Sequence, residues 1–309
     1  MSKKRFENLD RIQTTKPFKE FRQWRKERRS KQKDLSFQVS HIEQPEIEFL
    51  QSNNHIPTVT WIGHSTFLLQ YKGLNILTDP VWARQMGTDK RLTPPGLSIN
   101  DLPSIDFVLI SHSHYDHLHY STIKKLPGNP AYLVPSGLAA WFHKKGLDHV
   151  HELNWWEQIE LSSVQFSFVP AQHWTKRTLF DTNTSHWGGW MLTAEKSPVI
   201  YFAGDSGYFR GFSEIGERFT IDYALVPIGA YEPEWFMKEQ HVNPEEAVKA
   251  FIDTKAKYMI PMHYGTFRLA DDTPKEALDR VQNEWTRTGL EPDRLLLAKL
   301  GETLRLTIH

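Results

Sequence analysis

His112-Ser113-His114-Tyr115-Asp116-His117 places four potential metal ligands in six residues. It follows the run Ile105-Asp106-Phe107-Val108-Leu109-Ile110, whose apolar, β-branched composition predicts a buried strand. A ligand just past such a strand is held by a rigid element yet faces a cleft, which combines fixed geometry with open coordination. His112 and His114, two residues apart, suit one metal. Asp116 and His117, at the turn that follows, suit a second. Imidazole and carboxylate at this density point to zinc, with iron or manganese as alternatives. The competing reading is a polar loop in which histidines cluster by chance.

Three further segments repeat the pattern of strand, then ligand. The run Val164–Val169 leads to Gln172-His173-Trp174, Val199–Ala203 leads to Gly204-Asp205-Ser206-Gly207, and Tyr258–Met262 leads to His263-Tyr264-Gly265. Each residue alone has a plain alternative: His173 and His263 as structural histidines, Asp205 as a turn residue. Beside the cluster at 112–117 a ligand role is favoured for all three. Asp205-Ser206-Gly207 also looks like the surroundings of a serine nucleophile, a reading that leaves the cluster without a purpose.

Further strands are expected at Thr58–Gln70 and Leu74–Thr78, joined by the hairpin signal Tyr71-Lys72-Gly73, and at Ala131–Pro135, Ala224–Ile228 and Leu295–Lys299. Helical patterns occupy Gly137–Lys145, Phe209–Arg218, Pro244–Thr254 and Pro274–Thr288. Asn243 with Glu246 makes a capping-box pair before the third. Hairpins early, then strands mixed with helices, predict an α+β or α/β layered fold. No phosphate-cradling glycine loop is present.

Charge is distributed unevenly. Residues 1–34 hold 13 Lys/Arg against 5 Asp/Glu, so in a chain of net charge zero the remainder carries −8. This basic arm sets Phe18, Phe21 and Trp24 at helix-compatible spacings among cations. It suits an anionic membrane surface; the alternative is a helix packing its aromatics on the main body. Residues 35–57 read as a connector and 58–309 as the catalytic domain. The acidic body disfavours a nucleic-acid partner. With no cysteine, disulfides and thiolate metal sites are excluded. A soluble, cytoplasmic protein is expected, with peripheral membrane contact through the arm.

These pieces together resemble the metallo-β-lactamase superfamily: His112-x-His114-x-Asp116-His117, then His173, Asp205 and His263, follow its ligand order. The flanking text is closest to its N-acyl-phosphatidylethanolamine-hydrolysing phospholipase D branch. The likeness lies in Trp61-Ile62-Gly63-His64-Ser65-Thr66, Leu77-Thr78-Asp79-Pro80, Pro227-Ile228-Gly229-Ala230-Tyr231-Glu232-Pro233 and His241-Val242-Asn243-Pro244. In the arm it extends to Arg5-Phe6-x-Asn8.

The resemblance implies a four-layer αββα sandwich with two Zn2+ at one edge. It implies His112, His114 and His173 on one metal, Asp116, His117 and His263 on the other, and Asp205 bridging. His64 and Asp79 are expected to orient ligands or to be structural, rather than to bind metal themselves. The catalytic set would be Asp116, Asp205 and His241, with His241 near the substrate phosphate. The implied reaction is attack of a hydroxide held between the metals on a phospholipid phosphodiester, releasing phosphatidic acid and an N-acylethanolamine or related alcohol. Trp174, Tyr231, Trp235, Phe236 and Met237 are candidates to hold acyl chains. A lactonase on the same fold is the alternative, and a homodimer is left open.

Overall fold

The computed structural model describes residues 4–308. The first three residues of the basic arm, and His309, to which the sequence gives no role, lie outside them.

Two hairpins begin the main body. β1 (Thr58–Gly63), β2 (Thr66–Tyr71) and β3 (Leu74–Thr78) pair antiparallel in sequence. A small hairpin of β4 (Gln85–Met86) and β5 (Asp89–Lys90) then leaves the sheet. β6 (Ile105–Leu109), β7 (Gly128–Pro135) and β8 (Val150–Leu153) extend it in parallel. The second sheet runs β9 (Gln158–Leu161), β10 (Val164–Val169), β11 (Gly189–Thr193), β12 (Ile200–Phe202), β13 (Tyr223–Pro227), β14 (Tyr258–Met262) in spatial order. Its last two pairings are parallel. β15 (Thr303–Arg305) returns to the first sheet beside β1.

Period-two patterning explains why the first sheet is covered on both faces. Phe67, Leu69, Ile76, Phe107, Leu109 and Leu133 point into the core shared with the second sheet. Their neighbours Leu68, Leu77, Val108, Ile110, Tyr132 and Val134 point the other way. They meet Leu50 of α2 (Ile47–Ser52), Ile123 of α3 (Tyr120–Ile123) and Phe142 of α4 (Ala139–His143). On the far side α5 (Gly211–Arg218), α7 (Pro244–Thr254) and α8 (Pro274–Arg287) cover the second sheet through Ile215, Phe251 and Trp285. Helices therefore flank both sheets, giving the αββα sandwich. Burying each such large side chain contributes roughly 1.5–3 kcal/mol.

The Asn243–Glu246 capping box starts α7 as the sequence predicts, and Thr273–Glu276 does the same for α8. The stretch 295–299 is a correction. It is not a strand: Leu295 makes one isolated bridge to Met259, and the run is apolar because Ala298 is buried in the core and Leu295 and Leu296 pack against it. The connector is not wholly irregular either, since it contains α2.

The basic arm packs on the body. α1 (Phe18–Ser30) buries Trp24, which stacks on Phe236 of α6 (Glu234–Met237) at 5.2 Å and donates Nε1–H to Asp271 at 3.3 Å. Lys31 pairs with the same carboxylate at 2.9 Å, and Lys33 reaches Glu232 and Glu276. Phe18 and Phe21 stay exposed. Among the described residues no helix is long and apolar enough to cross a membrane.

Candidate metal centre

Four loops at one edge of the sandwich bring the predicted ligands together. His112, His114, Asp116 and His117 lie between β6 and α3; His173, Asp205 and His263 follow β10, β12 and β14. His112 Nε2 is 2.9 Å from His114 Nδ1, which is 3.2 Å from His173 Nε2. Beside them His117 Nε2 lies 3.3 Å, and His263 Nε2 3.6 Å, from Asp116 Oδ2. Asp205 Oδ2 faces both groups. It is 3.1 Å from His117 and His263, and 4.0 Å from His112 and His173.

The peptide geometry around these groups is specialised. His263 and His64 take left-handed backbone, φ 63° and 55°, a conformation that persists at a side chain only when its surroundings over-determine it. Gly204, at φ 64°, lets the turn before Asp205 close: a Cβ there would meet the Gly188 carbonyl oxygen at 2.7 Å and Ser111 Cβ at 2.8 Å.

Outer partners fix the rings. Asp79 accepts from His117 Nδ1 at 2.6 Å and from the Ser111 amide at 2.7 Å. It also accepts from the Ser111 hydroxyl at 2.5 Å, and that hydroxyl accepts from His112 Nδ1 at 2.9 Å. One buried carboxylate thus orients two imidazoles. His173 Nδ1 donates to the Gln240 carbonyl at 2.8 Å, and His64 Nε2 holds Asp116 at 3.0 Å. Such contacts set the tautomer that leaves the other nitrogen free to ligate.

Electrostatics divides the cluster. Burial, reinforced by neighbouring imidazoles, pushes His112 well below its ordinary range and His114 down to about 3. Burial outweighs Asp205 at His173 and takes it to about 4. These three are neutral imidazoles, the ligating form. At His117 and His263 burial is overcome by Asp205 and other carboxylates, which hold His117 well above its usual value and His263 up to about 9. Burial opposes charge on Asp116 and Asp205 too, yet His117 keeps both well below the usual carboxylate range.

The residues present fit a pair of metal ions. Nε2 of His117 and of His263 are buried and have no hydrogen-bond partner, although Asp205 Oδ2 is 3.1 Å away. Asp205 Oδ1 is likewise buried and unpartnered. Cations would satisfy these atoms, and the all-N/O donor set suits zinc, iron or manganese.

Ser206 takes no part as a nucleophile. Its hydroxyl accepts from the Gln172 amide at 2.9 Å and donates to the Gly207 carbonyl at 2.7 Å, bracing the turn. His241 stands over the cluster with Nδ1 3.8 Å from Asp205 Oδ2. Burial drives it well below its ordinary range, so its ring is neutral.

A cleft of about 1200 Å³ opens above the ligands, with His114, Asp116, Asp205 and His241 at its floor. Trp174, Phe236 and Met237 line it as expected; Tyr231 and Trp235 do not. Tyr231 is instead buried beneath the Arg280 guanidinium, and Trp235 is partly exposed. The sequence reading missed Phe18, Phe21 and Trp24 as cleft wall, and Met86 and Leu179 with them. Their helical spacing in the arm was visible, but what they would face was not.

Comparison with known proteins agrees with this architecture. A family model described as the beta-lactamase superfamily domain matches residues 74–264. The mitochondrial N-acyl-phosphatidylethanolamine-hydrolyzing phospholipase D of Saccharomyces cerevisiae is 37% identical over 79% of this chain. The chain spans 55% of that yeast protein's length. The N-acyl-phosphatidylethanolamine-hydrolyzing phospholipase D 1 of Caenorhabditis elegans is 36% identical, over 79% of this chain and 74% of its own. In fold the chain is similar to Igni18, a metallo hydrolase from Ignicoccus hospitalis, with TM-score 0.64 and 22% identity. That match covers 82% of this chain and all of the other. The chain belongs to the metallo-β-lactamase superfamily.

Proposed function

We propose that the protein is a two-zinc phosphodiesterase of phospholipase D type. Its substrate would be a phospholipid, and its products phosphatidic acid and the head-group alcohol, such as an N-acylethanolamine. The observation that carries this reading is the apolar cleft standing directly on the histidine–aspartate cluster. His112, His114 and His173 would hold one ion, and Asp116, His117 and His263 the other, with Asp205 shared. Bound there, the ions would activate water and neutralise charge growing on the phosphoryl oxygens.

The chain's own residues do the rest. His241, neutral and with a buried nitrogen free of partners, would donate a hydrogen bond to a phosphate oxygen. Asp116 and Asp205, kept ionised, would hold the ligand rings. Trp174, Phe236, Met237 and the arm aromatics Phe18, Phe21 and Trp24 would take the acyl chains. Each methylene withdrawn from water there contributes about 0.8 kcal/mol.

Membrane contact belongs to the same proposal. Lys19, Arg22, Arg25, Lys26 and Arg29 lie exposed on α1, beside Phe18 at 73% exposure. Across the cleft the loop after Trp174 presents Leu179 and Phe180, 80% and 85% exposed. Cations with apolar tips around a lipid-sized opening suit an anionic bilayer.

The test is a screen of the zinc-loaded protein across phospholipid head groups, with lactones included. Phosphatidic acid should appear, and a chelator should abolish its formation. Lactone opening without any phosphodiester cleavage would replace this reading with a lactonase.

A further inference from the structure

We propose that Asn8, carried by the N-terminal arm, is a positioning residue for the metal centre. The proposal rests on the metal-centre reading above. Of residues 4–34 only Asn8, Thr14 and Trp24 are buried, and two of those three bond the same peptide, that of His173. Asn8 Nδ2 donates to the His173 carbonyl at 2.9 Å, and the His173 amide donates to Asn8 Oδ1 at 3.0 Å. Thr14 Oγ1 donates to that carbonyl at 2.9 Å. Trp187 Nε1, fully buried, donates to Asn8 Oδ1 at 2.9 Å and so locks the amide in this orientation.

His173 sits outside regular secondary structure. No ladder satisfies its N–H and C=O, so the arm does. The ring is then pinned at three points: two peptide groups through the arm, and Nδ1 through the Gln240 carbonyl. A peptide free to turn would swing Nε2 away from His114 and Asp205, the groups it converges with. Charged anchors of the arm at Asp271, Glu232 and Glu276 touch no ligand. Stapling the arm would not by itself need Asn8 on this peptide.

The experiment uses the full chain loaded with cobalt. Asn8→Leu removes both hydrogen bonds to the His173 backbone while keeping the same number and branching of heavy atoms. Thr14→Val removes a single donor and keeps the protein folded should Asn8→Leu fail to fold. Arg28→Ala loosens the arm elsewhere, by removing its bonds to the Arg268 and Leu269 carbonyls and to Asp89. Asn8→Leu should surrender cobalt to a competing chelator about 10–100-fold more readily, the range seen when outer partners of metal ligands are lost. Its visible cobalt spectrum should shift, and kcat on a chromogenic phosphodiester should fall with KM little changed. Thr14→Val should move the same three readouts by about a few-fold, while Arg28→Ala should lower Tm alone. Wild-type spectra and chelator competition in both Asn8→Leu and Thr14→Val would overturn the proposal, leaving Asn8 a structural staple. A wild-type chain that takes up no cobalt would sink the metal-centre reading itself, a separate result.

Discussion

The loop between β6 and α3 and the ends of β10, β12 and β14 furnish one cluster in opposite ways. The loop supplies four candidate ligands from six consecutive residues, braced from one side by Asp79. The second sheet supplies three, one per strand, set by how the strands register and by what lies on their far loops. Damage to the first half should stay local. Damage to the second should travel from distant parts of the chain. Asp205 is the point where the halves meet, since its Oδ2 reaches histidines of both.

The largest effect is therefore expected at Asp205. Asp205→Asn should cut activity by more than the ~100-fold typical of losing an outer partner, and elemental analysis should find fewer than two metals per chain. Retention of both metals would dissolve the idea of a shared carboxylate.

Asp79→Ala tests the local brace. It unlocks His117 directly and His112 through Ser111, and leaves a buried Ser111 amide unpaired. Metal affinity should fall about 10–100-fold, and the metal-free protein should lose about 1–3 kcal/mol for the orphaned donor. Chelator competition and denaturant melts report the two separately. A loss of stability with affinity untouched would show that the loop holds its own shape.

A smaller effect belongs to the exposed face of the arm. The double change Arg22→Glu, Lys26→Glu should weaken binding to anionic vesicles by at least roughly 30-fold, since two cations are lost at about 1 kcal/mol each near the surface. Turnover of a soluble diester should be unchanged. Equal vesicle binding by the variant would remove the membrane role of α1.

The smallest prediction concerns His186, remote from the cluster and sandwiched between Phe6 at 4.4 Å and Trp155 at 4.1 Å. Burial, with Lys4 adding, pushes it from 6.5 down to about 3. The unfolded chain binds this proton and the folded chain does not. Its contribution to stability is thus complete above about pH 6.5 and is lost as pH falls toward about 3. His186→Phe should flatten the decline of Tm across that window; an identical slope would show that other groups set it.

Much of this was legible in the sequence. The loop half could be read from spacing alone, and His173, Asp205 and His263 from ligands placed just past apolar runs. β8, β9 and β11 escaped notice because Val150–Leu153 and Gln158–Leu161 are short and mixed with polar residues, and Gly189 opens the third. Asn8 could be seen only as a family-like residue, since a contact with position 173 leaves no periodic trace. The arm's two readings, a surface for membranes or a helix on the body, are not exclusive. Trp24 packs inward while Phe18 and five cations face out.

The seating of Asn8 and Thr14 on the His173 peptide also orders events in time. Their partners, together with Glu232, Asp271 and Glu276, lie more than 150 positions later in the chain. During synthesis these early residues emerge long before those distant partners. These anchors can therefore form only after the last of the segments they hold has been made.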